Sequence, residues 1–354
     1  MTDRFTACII GSGVAGRFLA HALSRAGRTI PVMLVTRPVR QAPDRIWWVP
    51  HNTAKRQALA LGGKSLTGIS LGHAARTLKA NALTLTRSSA ALPDTREIMA
   101  EPSGLQIIET EADCAFLPLT KGIQIDLGGQ SFSTRYVFDT RPEGGGRIRG
   151  DEWSIVAWSV RYTTQNPGTP SFSLSPARIV DGAVQFIQRS RLDADLEHVE
   201  YVRICPPGDD GTDLQAALIQ EMQTQSAIDL RVTRNVWPIA PPQSDKRRGA
   251  IYTIRAGAGG LRFTSGTEAF RLAEWAEDTA QRLALGQRPA PVRRTPISAW
   301  VGYEMLRHAL KSGPQATADL INAMMTKLSG DDALMALSGH PNWRSLFRLA
   351  IARR

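Results

Sequence analysis

Cysteine is scarce. Cys8, Cys114 and Cys205 are the only three in 354 residues, far apart and without a C-x-x-C pair. That excludes a disulfide framework and a cysteine-built zinc site, and it favours a reducing compartment. Long apolar runs are absent too: no stretch approaches the ~18 uninterrupted residues of a membrane span. The opening residues lack a basic segment followed by a cleavable apolar one, so they read as a strand, and the protein is expected in the cytoplasm. Acidic residues are the minority, with Asp+Glu at 32 against Lys+Arg at 43 and a net charge of +11. The basic residues are spread along the chain, with small clusters at Lys246–Arg248 and Arg293–Arg294 and towards the C-terminus. No nucleic-acid-binding motif accompanies them, so nucleic acid is not an expected partner. A solvated arginine-rich surface, contact with a membrane face and an acidic protein partner all stay open. Repeats and low-complexity segments are missing, and 354 residues exceed what one core usually holds, so two closely packed lobes are expected.

What is present begins at once. Phe5 to Ile10 is an apolar run suited to a buried strand, and Gly11, Gly13 and Gly16 follow at G-x-G-x-x-G spacing. Ala15 to Leu23 then carries small and apolar residues at helical spacing. Strand, glycine turn and helix together are the context in which this spacing has a mechanism. Gly11 permits the tight turn, Gly13 lets the main chain approach a pyrophosphate, and Gly16 lets the helix pack close to the strand. The free N–H groups at the helix start, around Val14 and Ala15, face the phosphates. The candidate ligand is a dinucleotide.

Ile30 to Val35 reads as the second strand of this unit. Where such units carry an acidic residue for the ribose hydroxyls, this chain has Thr36 followed by Arg37. Thr36 can bond a hydroxyl and Arg37 a phosphate, which suits either FAD or NADP. Next comes a Pro-bounded stretch, DRIWWVP, read as a loop. Arg45, Trp47 and Trp48 there either plug the join between lobes or line a cofactor or substrate cavity.

Further on, Ala54–Leu61 is expected as a helix. Short strands are expected at Leu105–Glu109, Asp113–Pro118, Gly122–Leu127 and Ser131–Asp139, a meander ending in Asp139. Trp153–Tyr162, Ser171–Leu174, Val184–Arg189 and Val199–Ile204 alternate like sheet strands, and Asp213–Ser226 reads as a helix. After the strand Ile251–Ile254 comes Ala256-Gly257-Ala258-Gly259-Gly260, and Thr264 precedes a helix over Glu268–Leu285. A small-residue turn entering a helix offers more N–H groups to a phosphate or ring edge. From Thr295 the pattern is helical.

These blocks, in this order, resemble the flavin-dependent lycopene cyclases and, more distantly, the flavin hydroxylases and halogenases. IIGSGVAG is similar to the cyclases' N-terminal motif, DRIWWVP to their tryptophan-containing loop, and YVFDTRP to their strand ending in Asp-x-Arg. WPIAPP, IRAGAGGLRFTSG and GDDALMALSGHPNW are similar to later blocks of the same enzymes. The resemblance implies an α/β fold with a Rossmann-like FAD-binding lobe of the hydroxylase (GR2) type. That lobe is expected over 1–65, 101–150 and 245–290, a β-rich substrate lobe over 66–100 and 151–244, and a helical C-terminal cap over 295–354. It implies FAD as cofactor, held by Gly11, Gly13, Val14, Ala15, Gly16, Thr36, Arg37, Asp139, Gly257, Gly260 and Thr264.

The cyclases carry adjacent glutamates in the second lobe for their proton chemistry. The matching stretch here is His198-Val199-Glu200-Tyr201, with tyrosine in place of one acid. An acid without a paired carboxylate loses part of its pKa tuning. The expected function is therefore an FAD-dependent oxidoreductase of monooxygenase or oxidase type, acting on a large apolar or aromatic substrate, free or peptide-borne. Reducing equivalents would come from NAD(P)H or an external flavin reductase. The alternative is a cyclase or isomerase that uses reduced FAD without net redox change. Glu200, Trp48 and Arg45 are the catalytic candidates in one shared cavity; the ordinary alternative makes Glu200 a solvated strand residue. No metal is expected, because neighbouring strand residues Glu197 and His198 face opposite ways. No G-x-S-x-G elbow points to a hydrolase.

Overall fold

A computed structural model describes residues 4–11, 14–26, 30–36, 46–50, 64–73, 76–86, 104–111, 113–141, 153–164, 168–191, 194–209, 211–224, 228–239, 241, 245–254, 266–294, 297–337 and 342–351. It is a mixed α/β structure. The first strands are β1 (Arg4–Ile10), β2 (Val32–Thr36), β3 (Ile46–Pro50), β4 (Lys64–His73), β5 (Arg76–Thr86) and β6 (Leu105–Glu109). There follow β7 (Cys114–Leu119), β8 (Gly122–Leu127), β9 (Gln130–Asp139), β10 (Ser154–Thr163), β11 (Ser171–Leu174) and β12 (Arg178–Val180). The last are β13 (Ala183–Arg191), β14 (Leu196–Cys205), β15 (Ile228–Pro238), β16 (Lys246–Arg248) and β17 (Ile251–Thr253). The helices are α1 (Val14–Ala26), α2 (Asp213–Thr224), α3 (Gly266–Ala284), α4 (Ile297–Ser312), α5 (Pro314–Lys327), α6 (Gly330–Leu337) and α7 (Trp343–Ile351).

An eight-stranded sheet contains the order β16-β17-β9-β1-β2-β6, with the β7–β8 hairpin attached through β9. The β17, β9, β1, β2 and β6 pairings are parallel. A parallel strand covered on both faces must be apolar throughout, and β1 is. Ala7 and Ile9 pack beneath α1 and α3, against Phe18, Leu19, Leu272 and Trp275. Cys8 and Ile10 face the other way, onto Ile123, Ile125 and Leu127 of the hairpin. Trp275 stands edge-on to Phe138, with centroids 5.9 Å apart, and donates its Nε1–H to the Pro291 carbonyl at 3.0 Å.

The second sheet has nine strands, in the order β15-β10-β14-β13-β11-β4-β5-β3, with β12 on β13. Its two faces differ. On one, Ile155, Ala157, Val184, Phe186, Val202 and Ile204 pack with buried residues of the C-terminal helices, including Leu306, Ile321, Met325 and Leu349. On the other, Val160, Tyr162 and Val199 pack with Leu218 and Met222 of α2.

Three sequence expectations change here. The DRIWWVP stretch is not all loop: Ile46–Pro50 forms β3, paired antiparallel with β5. β3 and β4 join the nine-stranded sheet, so Ile46–Pro50 and the start of β4, expected with the first sheet as part of 1–65, pair in the second. Ile228–Pro238 is one long strand beside β10, in a stretch for which the sequence predicts no strand. The helix expected at 54–61 lies outside the described residues.

Candidate functional site

The carboxyl ends of β1, β2 and β9 meet around the first glycine turn. Gly11 has φ +102°, a conformation that side chains rarely adopt, and a Cβ there would stand 2.9 Å from Thr140 Oγ1. At Gly16 a Cβ would come within 1.9 Å of the Gly11 carbonyl oxygen, so α1 can lie this close to the turn only with glycine. The Gly11 N–H donates to the Val35 carbonyl at 2.8 Å, and the Thr140 N–H to that of Ile10 at 2.9 Å. The Thr140 hydroxyl lies 2.9 Å from the Ile10 oxygen and 3.0 Å from that of Gly11. No acidic residue stands in the first turn of α1, which suits an anion at its positive end. Gly11 and Gly16 held this close, at the start of a helix and outside the ends of parallel strands, fit a dinucleotide pyrophosphate.

The other cofactor candidates are placed unevenly. Val14 opens α1 and Ala15 is buried beside it. Thr36 closes β2, in register with Glu109. Asp139 ends β9 opposite Ile10, and its carboxylate is held in a two-pronged ion pair by Arg141, both nitrogen–oxygen distances being 2.9 Å. Gly13, Arg37, Arg45, Gly257, Gly260 and Thr264 lie outside the described residues. Thr140 was not foreseen. Its only signal was its place immediately after the strand-ending aspartate.

On the second sheet Glu200 is buried, with 5 % of its surface exposed, so it is no solvated strand residue. It lies across from Ser159 of β10 and Gln188 of β13. His198, two residues back on the same face, is also buried, with Nε2 3.9 Å from Glu200 Oε1. Ser190 faces His198 from β13, and the Ser159 hydroxyl bonds that of Thr233 at 2.7 Å. Gln188 is 2 % exposed, and its Oε1 has no hydrogen-bond partner among the described residues. A buried amide oxygen left without a donor costs free energy on the order of 1–3 kcal/mol. These groups form a polar strip continuing the otherwise apolar face of Ala157, Phe186 and Val202.

Adjacent residues on a strand point to opposite faces, and this bears on the tyrosine that replaces the second glutamate. Tyr201 stands on the α2 face, where its hydroxyl donates to Glu221, itself paired with Arg189. Burial, then this bond, pushes the phenol up to about 12. Glu197 on the same face accepts from the Tyr162 hydroxyl at 2.5 Å and pairs with Arg191. Even a Glu–Glu pair here would put only one acid on the inner face; the group that shares that face with Glu200 is His198. Its parity with Val202 and Ile204 was the sequence signal. No group of three or more histidine, cysteine or acidic side chains could hold a metal among the described residues.

The tryptophans are not neighbours of this strip along the sheet. Trp47 and Trp48 lie on β3 at the sheet's edge, with β5, β4, β11 and β13 between them and β14. At roughly 4.8 Å per strand that is about 24 Å measured along the sheet. β3 instead packs against α3, which covers the first sheet, and against α6.

No protein-family model matches the chain, and no curated protein matches it. Solved structures do. p-Nitrophenol 4-monooxygenase PnpA of Pseudomonas putida DLL-E4 aligns with TM-score 0.57 and 16% identity over 99% of this chain and 98% of its own. The flavin-dependent brominase Bmp2 gives 0.55 and 13%, over 99% and 98%. PyrE3, a Diels-Alderase of pyrroindomycin biosynthesis, gives 0.55 and 16%, over 95% and 81%. The chain thus has the fold of the flavin-dependent monooxygenases and halogenases.

Proposed function

We propose that this protein is an FAD-dependent oxidoreductase of monooxygenase or oxidase type, acting on a large apolar or aromatic substrate. The carrying observation is the turn built by Gly11, Gly16 and Thr140, whose close approach of helix to strand suits a dinucleotide pyrophosphate. When bound, the flavin would supply electron transfer to oxygen or substrate. The chain's own part is to hold the phosphates at the start of α1, with Thr36 and Arg37 taking the place of the usual acidic residue at the adenosine ribose. Gly257, Gly260 and Thr264 would form the second small-residue contact. Glu200, oriented by His198, would hold or deliver a proton on the inner face of the second sheet, while Trp48 and Arg45 would wall the junction end of the site. On this reading the protein works in the cytoplasm or at a membrane face, with reducing equivalents from NAD(P)H or an external reductase. A peptide-borne substrate belongs to the same reading.

A second reading rests on one observation. Glu200 is an acid withdrawn from water beside an apolar sheet face, which suits protonation of an unsaturated substrate as in a lycopene-cyclase-like cyclase or isomerase. The fold hosts chemistry of more than one kind, as the Diels-Alderase neighbour illustrates. The absorption spectrum of the purified protein tests both. Flavin bands bleached without oxygen by NADPH, alone or with a flavin reductase, and restored with oxygen consumed when air is admitted, support the oxidoreductase. Bands bleached only by dithionite, with substrate isomerised and no oxygen consumed, select the second reading. Stoichiometric NADP without flavin overturns both.

A further inference from the structure

The helix α7 is amphipathic in an unusual way: its apolar residues serve two faces. Ser345, Leu346 and Leu349 are buried, Leu349 within the core shared with α4, α5 and α6. Trp343, Phe347 and Ile351 point away from that core, 61%, 69% and 57% exposed. Spaced four apart, they fall within about 80° of the helix circumference and form one ridge. Arg344 and Arg348 follow on the flank of the ridge; Arg344 is exposed, and Arg348 lies 3.9 Å from Asp332 of α6. Ala352-Arg353-Arg354 come next in the sequence, and the whole chain carries +11.

Three large side chains in water on one helix are costly unless something covers them. The ridge stands out from the helix as a convex line, so a protein partner would have to supply a matching groove. A fluid lipid interface makes no such demand, and tryptophan and phenylalanine with arginine at the flank are the composition that lies in a headgroup layer. We propose that α7 docks on an anionic lipid surface, with Trp343, Phe347 and Ile351 inserted and Arg344 against the lipid phosphates. This is independent of the flavin reading, because binding is measured without turnover.

The full chain is mixed with vesicles of phosphatidylglycerol and phosphatidylcholine, or of phosphatidylcholine alone, and sedimented. Binding is expected to the mixed vesicles and much less to the neutral ones. The Trp343→Ser/Phe347→Ser variant should bind the mixed vesicles about tenfold or more weakly, with its melting temperature unchanged. Arg344→Gln should bind them roughly fivefold more weakly, and neutral vesicles as before. If the double variant does not fold, Trp343→Phe replaces it. Loss of the vesicle-induced blue shift in emission then supports the proposal, and a retained shift overturns it. A folded double variant that binds at wild-type strength overturns it, as does failure of the wild type to bind the mixed vesicles. Capture by polyglutamate without vesicle binding assigns the face to an acidic protein instead, and also overturns it.

Discussion

The glycine turn of the first sheet and the polar strip of the second do their work by different means. At the turn the backbone carries the geometry: a carbonyl that a methyl would strike at 1.9 Å, a positive φ, and a threonine bracing two strand ends. Side chains contribute little there except by being absent. On the strip the backbone is an ordinary antiparallel ladder, and the side chains Glu200, His198, Gln188 and Ser159 carry everything. The first region should therefore fail on any added atom and tolerate polar changes nearby. The second should tolerate isosteric changes structurally and fail chemically.

The strongest way to break that contrast is Gly16→Val. The branched side chain has nowhere to go against the Gly11 carbonyl, and displacing α1 also disturbs the core of Phe18, Leu19 and Trp275. The expected outcome is soluble protein without flavin, or none at all; the absorbance ratio of flavin to protein measures it. A variant with full flavin content would show that the helix can move aside, and that backbone geometry is not the determinant.

Next in size is Glu200→Gln, which keeps shape and removes the acid. Flavin content and melting temperature should stay at wild-type values while turnover falls about 10²–10⁴-fold, the usual range for a lost proton-transfer group. His198→Asn should lower turnover less, in proportion to a positioning role. If Glu200→Gln loses flavin or stability as severely as Gly16→Val, the two regions are not separable in the way described.

The smallest effects belong outside both regions, in the C-terminal helices. Asn342 caps α7, accepting the Ser345 N–H at 2.8 Å and donating to Asp332 at 2.7 Å. Asn342→Ala should cost about 1 kcal/mol by thermal or denaturant melting, with flavin content and turnover intact. Burial tends to raise the Asp332 carboxyl, but hydrogen bonds from Asn342, Ser329 and Ser345 and the charge of Arg348 outweigh it and hold the group below its ordinary 3.8. A lowered folded value stabilises above the ordinary pKa, and that gain disappears as the pH falls through the lowered one. Asp332→Asn should therefore narrow the stability difference from wild type as the melting pH is taken down through that window.

How far the sequence reached follows the same division. The N-terminal unit was legible because its signal is local: an apolar run, three spaced glycines and a helix pattern within twenty-odd residues. The strands Leu105–Glu109, Gly122–Leu127 and Ser171–Leu174 were also read at the bounds they have. β3 was not, because the two prolines and paired tryptophans that suggested a loop are compatible with an edge strand, where a missing N–H costs little. The partners of Glu200 were missed for a different reason. Gln188, Ser159 and Thr233 come from three separate strands, and nothing in any one of them announces the register that aligns them.

What the sequence by itself determined is the set of local conditions: where helix and strand can form, where only glycine can stand, and which strand face is apolar. Glu200 and His198 share the parity of Val202 and Ile204, and that much was written in one dimension. Only the tertiary structure decided which face lay under the helices and which under α2. It alone set Tyr201 into the ion-pair network with Glu221 and put His198 beside Glu200 instead. It also put Trp48 on the sheet's edge strand beside α3 and α6, away from β14. Pairing across strands depends on register and sheet order, which are set by the packing of the whole chain, and no short window of residues contains them.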